Sequence, residues 1–116
     1  MKKFIMILLA LIILATPLIT SCGQNKKNKL EEAAKLSSYA KLSADKLSII
    51  CDNSKYTNVD YIKEINKTLG FPDSVWEKML KTRALDGTQS HKTKDFTATW
   101  SYHPDNGLDV IYEIND

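Results

Sequence analysis

The sequence predicts an α+β domain in which three helices come first and a C-terminal β-hairpin packs on them. Two patterns of hydrophobicity support this fold class. Apolar residues recur at spacings of three and four between residues 30 and 85, as they do along one side of a helix. After residue 95 the period changes to two, which is typical of strands with one buried side. Helical segments followed by paired strands indicate an α+β domain.

Residues 30–55 are predicted to form one long helix. Small and apolar side chains follow one another here at spacings of four, three, four and three, which places them along a single helical stripe: Leu36, Ala40, Ser43, Leu47 and Ile50. Asp52, Asn53 and Ser54 then form a polar run that favours a turn, so the helix is expected to end there.

A second helix is expected to begin near residue 58. It has an apolar side followed by Gly70, a residue suited to the left-handed conformation after a helix; this side consists of Val59, Ile62, Ile65 and Leu69. Ser74 and Glu77 have the spacing of a capping box for a third helix. The core residues expected on that helix are Val75, Trp76, Met79, Leu80 and Ala84.

Residues 88–95 are polar and are predicted to be a connector that leads to the hairpin. Two alternating segments then flank a five-residue loop, His103–Gly107, which has strong turn chemistry. Such a loop pairs Tyr102 with Leu108, Trp100 with Val110, and Ala98 with Tyr112. This register places every large apolar residue of the hairpin except Ile111 on one side, and a buried side specifies register strongly.

The first 21 residues have the features of an export signal. Lys2 and Lys3 form a basic start, Phe4 to Leu14 form an apolar run, and Pro17 breaks the helix after it. The following residues, Ile19-Thr20-Ser21-Cys22, resemble the lipobox of bacterial lipoprotein precursors. The resemblance implies cleavage before Cys22, a diacylglycerol thioether on its sulfur, and usually fatty acylation of the new amino terminus.

The chain is therefore expected to contain a signal peptide at residues 1–21, a lipidated cysteine with a polar tether at 22–29, and one small domain at 30–116. The domain would lie on the extracytoplasmic side of a bacterial envelope membrane. An uncleaved transmembrane anchor is the alternative, although residues 4–20 are at the lower limit of length for spanning a bilayer.

Charge argues against a nucleic-acid partner. The two lysines of the leader belong to the 16 basic residues of the chain, so the remainder has 14 basic and 14 acidic residues and is formally neutral. A neutral domain lacks the basic surface that nucleic acids require.

Residues 23–29 contain no apolar side chain and are expected to form a flexible tether. Its lysines either meet anionic headgroups or remain solvated.

The candidate reactive residues do not form a recognisable catalytic or metal-binding motif. Cys51 adjoins Ile49 and Ile50, and a buried, inert thiol is the simpler interpretation. His91 and His103 have no Cys, His or Glu at the spacing of metal ligands. No catalytic residue, metal or cofactor is therefore predicted, and the protein is not expected to be an enzyme.

The hairpin offers the candidate partner-binding residues. Its unpaired strand edge, its polar side and its tip could reach another chain, and the residues chosen are Thr97, Thr99, Ser101, His103 and Pro104. Trp100, Tyr102 and Tyr112 are either core residues or an exposed aromatic platform.

These features predict a membrane-anchored, non-enzymatic module that binds an unidentified envelope protein. The sequence leaves three alternatives open. One is an exclusion or immunity lipoprotein acting against a phage, plasmid or toxin. The second is a small envelope enzyme, and the third is a passive envelope spacer.

Overall fold

A five-stranded antiparallel sheet organises the domain. The computed structural model describes residues 24–52 and 59–116. In that part of the chain residues 24–34 form a helix, α1, and two further helices and five strands follow. They are β1 (Ala40–Leu42), β2 (Ser48–Cys51), α2 (Asp60–Leu69), α3 (Asp73–Lys81), β3 (Gln89–Lys92), β4 (Phe96–His103) and β5 (Gly107–Ile114), with a short 3-10 helix at Ala84–Asp86.

The α+β class is confirmed, but the predicted architecture of three helices followed by a hairpin is wrong. The strand order is β1-β2-β5-β4-β3, and every neighbouring pair is antiparallel. The predicted hairpin, β4–β5, forms the middle of this sheet. Both of its outer edges are already paired, β4 with β3 and β5 with β2. The hairpin therefore has no unpaired edge to offer a partner.

The long helix predicted over residues 30–55 does not form. The described helix ends at residue 34, and a second hairpin, β1–β2, occupies residues 40–51. Ile49 and Cys51 are fully buried, whereas Ile50 between them is 40% exposed, which is the alternation of a strand. Leu36 and Leu47, both expected on the buried stripe, are 47% and 43% exposed. The backbone of β2 forms its hydrogen bonds with β5, and the periodicity of residues 30–55 gives no sign of this distant strand.

A tight turn separates these two strands. The Ser43 hydroxyl donates a hydrogen bond to Asp45 Oδ1 at 2.5 Å, and the same carboxylate oxygen accepts the Leu47 backbone N–H at 3.0 Å. Lys46 has a positive φ of 61°. Short polar side chains that bond to nearby backbone favour turns over a continuing helix.

The segment predicted as a connector contains strand β3. Its residues pair with β4 in continuous register, from Gln89 opposite Trp100 to Lys92 opposite Thr97. Because β3 is an edge strand, most of its side chains are exposed and need not be apolar. Its polar sequence is therefore compatible with a strand although it carries no strand periodicity.

Three expectations are confirmed. The hairpin register is as predicted, with Tyr102 opposite Leu108, Trp100 opposite Val110 and Ala98 opposite Tyr112. The second helix buries Ile62, Ile65 and Leu69 as expected, whereas Val59 is its half-buried N-cap residue. Gly70 follows the helix in the left-handed conformation at φ 84°. The third helix begins at Asp73, but Pro72 is its N-cap residue and no side chain caps it. The predicted capping box of Ser74 and Glu77 is therefore wrong.

One core lies between the helices and one side of the sheet. It includes Leu30 and Ala33 of α1, side chains of α2 and α3, and the inward side chains of the strands. Leu80 and Ala84, which were expected in the core, are exposed instead. We call the helix-covered side of the sheet the covered face and the other side the open face.

Candidate functional site

Three of the five candidate partner-binding residues lie on the open face. Thr97, Thr99 and Ser101 alternate with the buried Phe96, Ala98 and Trp100 along β4, so their side chains point away from the helices. All three are half-buried between neighbouring strands. The structure thus brings these hydroxyls together on one surface.

The other two candidates, His103 and Pro104, are exposed at the β4–β5 turn. His103 ends β4, and its Nδ1 atom accepts the Asp105 backbone N–H at 3.1 Å. This bond organises the turn without burying the imidazole. Cys22, the predicted lipidation site, lies outside the described residues.

The centre of the open face is a row of five residues, one from each strand. The register places them side by side in the order Lys41, Ile50, Ile111, Thr99 and Ser90. Ile50 and Ile111 are directly paired, and they are 40% and 39% exposed. We call this set the central row.

Polar residues surround the two isoleucines. Thr97 lies opposite Glu113 and Lys92 on its two neighbouring strands, and Ser101 lies opposite Asp109. Thr97 is additionally fixed by a hydrogen bond from its hydroxyl to Asn115 Oδ1 at 2.5 Å. An apolar centre with a polar rim is the usual anatomy of a protein-binding surface.

The three hairpin aromatics have different environments. Trp100 and Tyr112 are 3% and 0% exposed, so they are core residues and cannot form an exposed platform. The Trp100 indole N–H donates to Thr82 Oγ1 at 2.9 Å, and the Tyr112 hydroxyl donates to Asn66 Oδ1. Tyr102, in contrast, is 40% exposed.

A cleft that the sequence did not reveal lies beside Tyr102. It has a volume of about 490 Å³ and lies between the C-terminal end of α3 and the start of β5. Met79, Leu80, Tyr102 and Leu108 contribute apolar walls, and Lys81 and Arg83 line its polar side. We call it the α3 cleft. Leu80, predicted to lie in the core, is 57% exposed and forms part of this cleft instead.

The buried thiol of Cys51 does not resemble a nucleophile. Burial, with a smaller contribution from the nearby Asp52 carboxylate, raises its pKa from 9.0 to about 12. A reactive cysteine has a lowered pKa and partial exposure. Cys51 lies in the core, whereas His103 is exposed at the β4–β5 turn, so the structure does not bring this thiol and this histidine together.

His91 is half-buried, and its ring lies at 6.2 Å from the Phe71 ring in an edge-on arrangement. This contact makes His91 a packing residue at the side of the core. Within residues 24–52 and 59–116, no three His, Cys, Asp or Glu side chains come close enough to hold a metal ion.

Residues 24–29, which were expected to form a flexible tether, are helical and belong to α1. Lys26 Nζ lies 3.7 Å from Asp95 Oδ1 and donates to the Asn115 carbonyl oxygen at 3.4 Å. These contacts join the beginning of α1 to the β3–β4 turn and to the residue after β5. The start of the described chain is therefore attached to the sheet.

None of the helices in the described part of the chain has the length and apolar content needed to cross a membrane. No protein-family model matches the chain, and neither a curated protein nor a solved structure matches it significantly. The function is therefore argued from the residues and their arrangement.

Proposed function

We propose that this protein is a bacterial envelope lipoprotein, anchored through Cys22 on the extracytoplasmic side of a membrane, whose domain binds another protein and catalyses no reaction. The leader and the sequence Ile19–Cys22 support the anchor. The open face supports the binding role, and its exposed Ile50–Ile111 pair is the observation that carries the proposal.

The central row offers apolar surface that a partner could cover. Each isoleucine still exposes about two fifths of its surface, and covering apolar surface is worth about 25 cal/mol per Å². The hydroxyls of Thr97, Thr99 and Ser101 provide donors and acceptors around the pair. Hot spots at interfaces have this arrangement of a desolvated centre within a polar surround.

The partner is expected to be a protein of no extreme charge. The chain after residue 21 is formally neutral, so long-range electrostatic attraction does not select its partner. On the open face, Lys41 and Lys92 are accompanied by Asp109 and Glu113. Contact between matching shapes, with a mixed pattern of charges at the rim, is the recognition that such a surface allows.

The anchor is tested by replacing the thiol. Cys22→Ser should abolish incorporation of a clickable fatty acid and leave an unprocessed precursor, because a serine hydroxyl cannot form the thioether. The wild-type protein in the same cells is the control. Equal labelling of both proteins would contradict the lipoprotein assignment.

The binding role is tested by placing a photo-crosslinking amino acid at Thr99 in living cells. A discrete crosslinked partner should appear, and Ile111→Lys in the same chain should remove it. Leu36→Lys is the matched control, because Leu36 is 47% exposed and Ile111 is 39% exposed, yet Leu36 does not belong to the sheet.

Both lysine variants should keep the wild-type melting temperature, which separates loss of binding from loss of folding. If position 99 yields no crosslinked partner, or if Ile111→Lys leaves the crosslink unchanged, the open face is not the binding surface.

A further inference from the structure

The first turns of α1 are fixed to the domain from two directions. Leu30 and Ala33 are fully buried in the core, so α1 cannot swing away from the sheet without exposing them. Lys26, one turn earlier than Leu30, contacts Asp95 and the Asn115 carbonyl oxygen. The beginning of α1 therefore has a defined position on one end of the sheet.

Three other features lie at that same end. The β1–β2 turn is joined to α1 by an ion pair between Lys46 Nζ and Glu31 Oε1 at 3.3 Å. The β1–β2 turn also meets the end of β5, since the Ile114 N–H donates to the Leu47 carbonyl oxygen at 3.0 Å. Asn115 bonds the β3–β4 turn, with its N–H on the Asp95 carbonyl oxygen at 2.8 Å.

We call this the anchor end. It consists of the start of α1, the β1–β2 turn at residues 43–47, the β3–β4 turn at residues 93–95, and Asn115. The β4–β5 turn lies at the opposite end of the sheet, because β4 and β5 both span eight residues between the two ends. Eight residues of a strand extend over about 27 Å.

The chain leaves very little length between the anchor end and the proposed lipid. Residue 24 is already helical, and Cys22 is only two residues before it. Two residues of fully extended chain span at most about 7 Å. An acylated Cys22 must have its lipid in the bilayer, so residue 24 is confined close to the headgroups.

We propose that the anchor end rests on the bilayer surface and that the β4–β5 turn points away from the membrane. This inference rests on the proposed lipidation of Cys22, and it adds the orientation of the domain. The surface that covers the anchor end is the lipid bilayer. The short covalent link to the acylated Cys22 determines that this end of the sheet meets it.

The charges of the anchor end indicate that the covalent link to Cys22, and not electrostatic attraction to lipid, sets the orientation of the domain. Residues 24–32, 43–47 and 93–95 contain five lysines and four carboxylates, so the formal charge of this end is only +1. Two of the lysines are paired, Lys26 with Asp95 and Lys46 with Glu31. Leu47, which is 43% exposed in the β1–β2 turn, adds an apolar contact suited to the interface. The orientation should therefore be the same on zwitterionic and on anionic lipid.

The orientation has a consequence for the binding surface. The open face would rise along the strands from the membrane, with His103 and Pro104 at its far end. The α3 cleft, lined by Tyr102 and Leu108, would lie at the far end as well. A partner could therefore approach the central row from the side and the α3 cleft from above.

Depth-dependent quenching tests the proposal on the processed, acylated protein in vesicles. Lys94→Cys and Asp105→Cys place a fluorescent label in the β3–β4 turn and in the β4–β5 turn, both at exposed positions. Cys51 is buried and Cys22 is acylated, so labelling is directed to the introduced thiol. The vesicles contain a phosphatidylcholine with a nitroxide on its headgroup, with and without phosphatidylglycerol.

The label at position 94 should lose most of its fluorescence, the label at position 105 should lose little, and anionic lipid should not change this difference. Insertion of ten Gly/Ser residues after Gly23 is the matched control. A flexible linker of that length spans about 17 Å and should reduce the difference between the two positions.

Two failures are distinguishable. A protein that floats with the vesicles but is quenched equally at both positions would overturn the orientation and leave the anchor intact. A difference that persists unchanged with the inserted linker would also overturn it, since short attachment would not be the cause. A protein that does not float with the vesicles would overturn the anchor and the orientation together.

Discussion

The two faces of the sheet differ most clearly along β4, where one strand supplies both. Phe96, Ala98 and Trp100 are between 0% and 3% exposed on the covered face. Thr97, Thr99 and Ser101 are half-buried on the open face. The same backbone thus presents one set of side chains that stabilises the fold and another that is available for contact. Substitutions at adjacent positions should therefore have very different effects.

The largest effect is expected from Trp100→Ala. This change removes a nearly fully buried indole and its hydrogen bond to Thr82, so it should lower the free energy of unfolding by about 3–5 kcal/mol. Urea unfolding followed by circular dichroism measures the change. A loss below about 1 kcal/mol would mean that the covered face is not the stabilising one at this position.

A smaller loss is expected from Tyr112→Phe. The Tyr112 hydroxyl donates to Asn66 Oδ1, and Asn66 is only 2% exposed, so the variant leaves a buried acceptor without its partner. The expected cost is about 1–3 kcal/mol. Tyr102→Phe is the matched control, since Tyr102 is 40% exposed and should tolerate the change. Equal losses in both variants would show that the buried bond has no special role.

Alkaline pH should lower the stability of the folded domain through Cys51, which is buried on the covered face. The unfolded chain loses its thiol proton from about pH 9, whereas burial raises the pKa of Cys51 to about 12 in the folded protein. The unfolded state therefore binds fewer protons, and stability falls as pH rises between these two values, by roughly 1.4 kcal/mol per pH unit from this group.

Burial also raises the pKa of Tyr112, which acts in the same direction above pH 10. Urea midpoints between pH 8 and pH 11 should therefore fall less steeply in Cys51→Ala than in the wild type. Parallel curves for the two proteins would contradict the contribution of this thiol.

The smallest effects are expected on the open face. Thr99→Lys and His103→Ala should each change the free energy of unfolding by less than about 0.5 kcal/mol, because neither side chain enters the core. Ala98→Lys is the neighbouring control. Ala98 is 0% exposed, so its replacement would bury an unpaired ammonium and should unfold the domain. Similar melting temperatures for Thr99→Lys and Ala98→Lys would remove the distinction between the faces.

Local sequence was sufficient to predict the structure where the residues that interact lie close together in the chain. The β4–β5 register followed from alternation and loop chemistry, because both strands and their turn are contiguous. The second helix followed from an apolar side and Gly70. These elements need little information from distant parts of the chain.

Local sequence was insufficient where a distant segment decided the structure. Ile50 fits a helical stripe with Leu47 and Ser43, and only pairing with β5, about 60 residues later, makes its segment a strand. Strand β3 is polar because it is an edge, so no periodicity marks it. Of the candidate site, Thr97, Thr99 and Ser101 were found from alternation, but Ile50 and Ile111 meet only through the sheet.

The strand order also bears on when the domain can fold. The last strand of the described chain, β5, lies between β2 and β4 and joins them. A ribosome that has synthesised residues only up to 106 has therefore produced two separate pairs of strands with a gap between them. Sheets built from such distant segments form slowly, because a long loop must close before its contacts form. If the chain is exported as proposed, this delay would leave the sheet incomplete until β5 has been made, which suits export in an unfolded state.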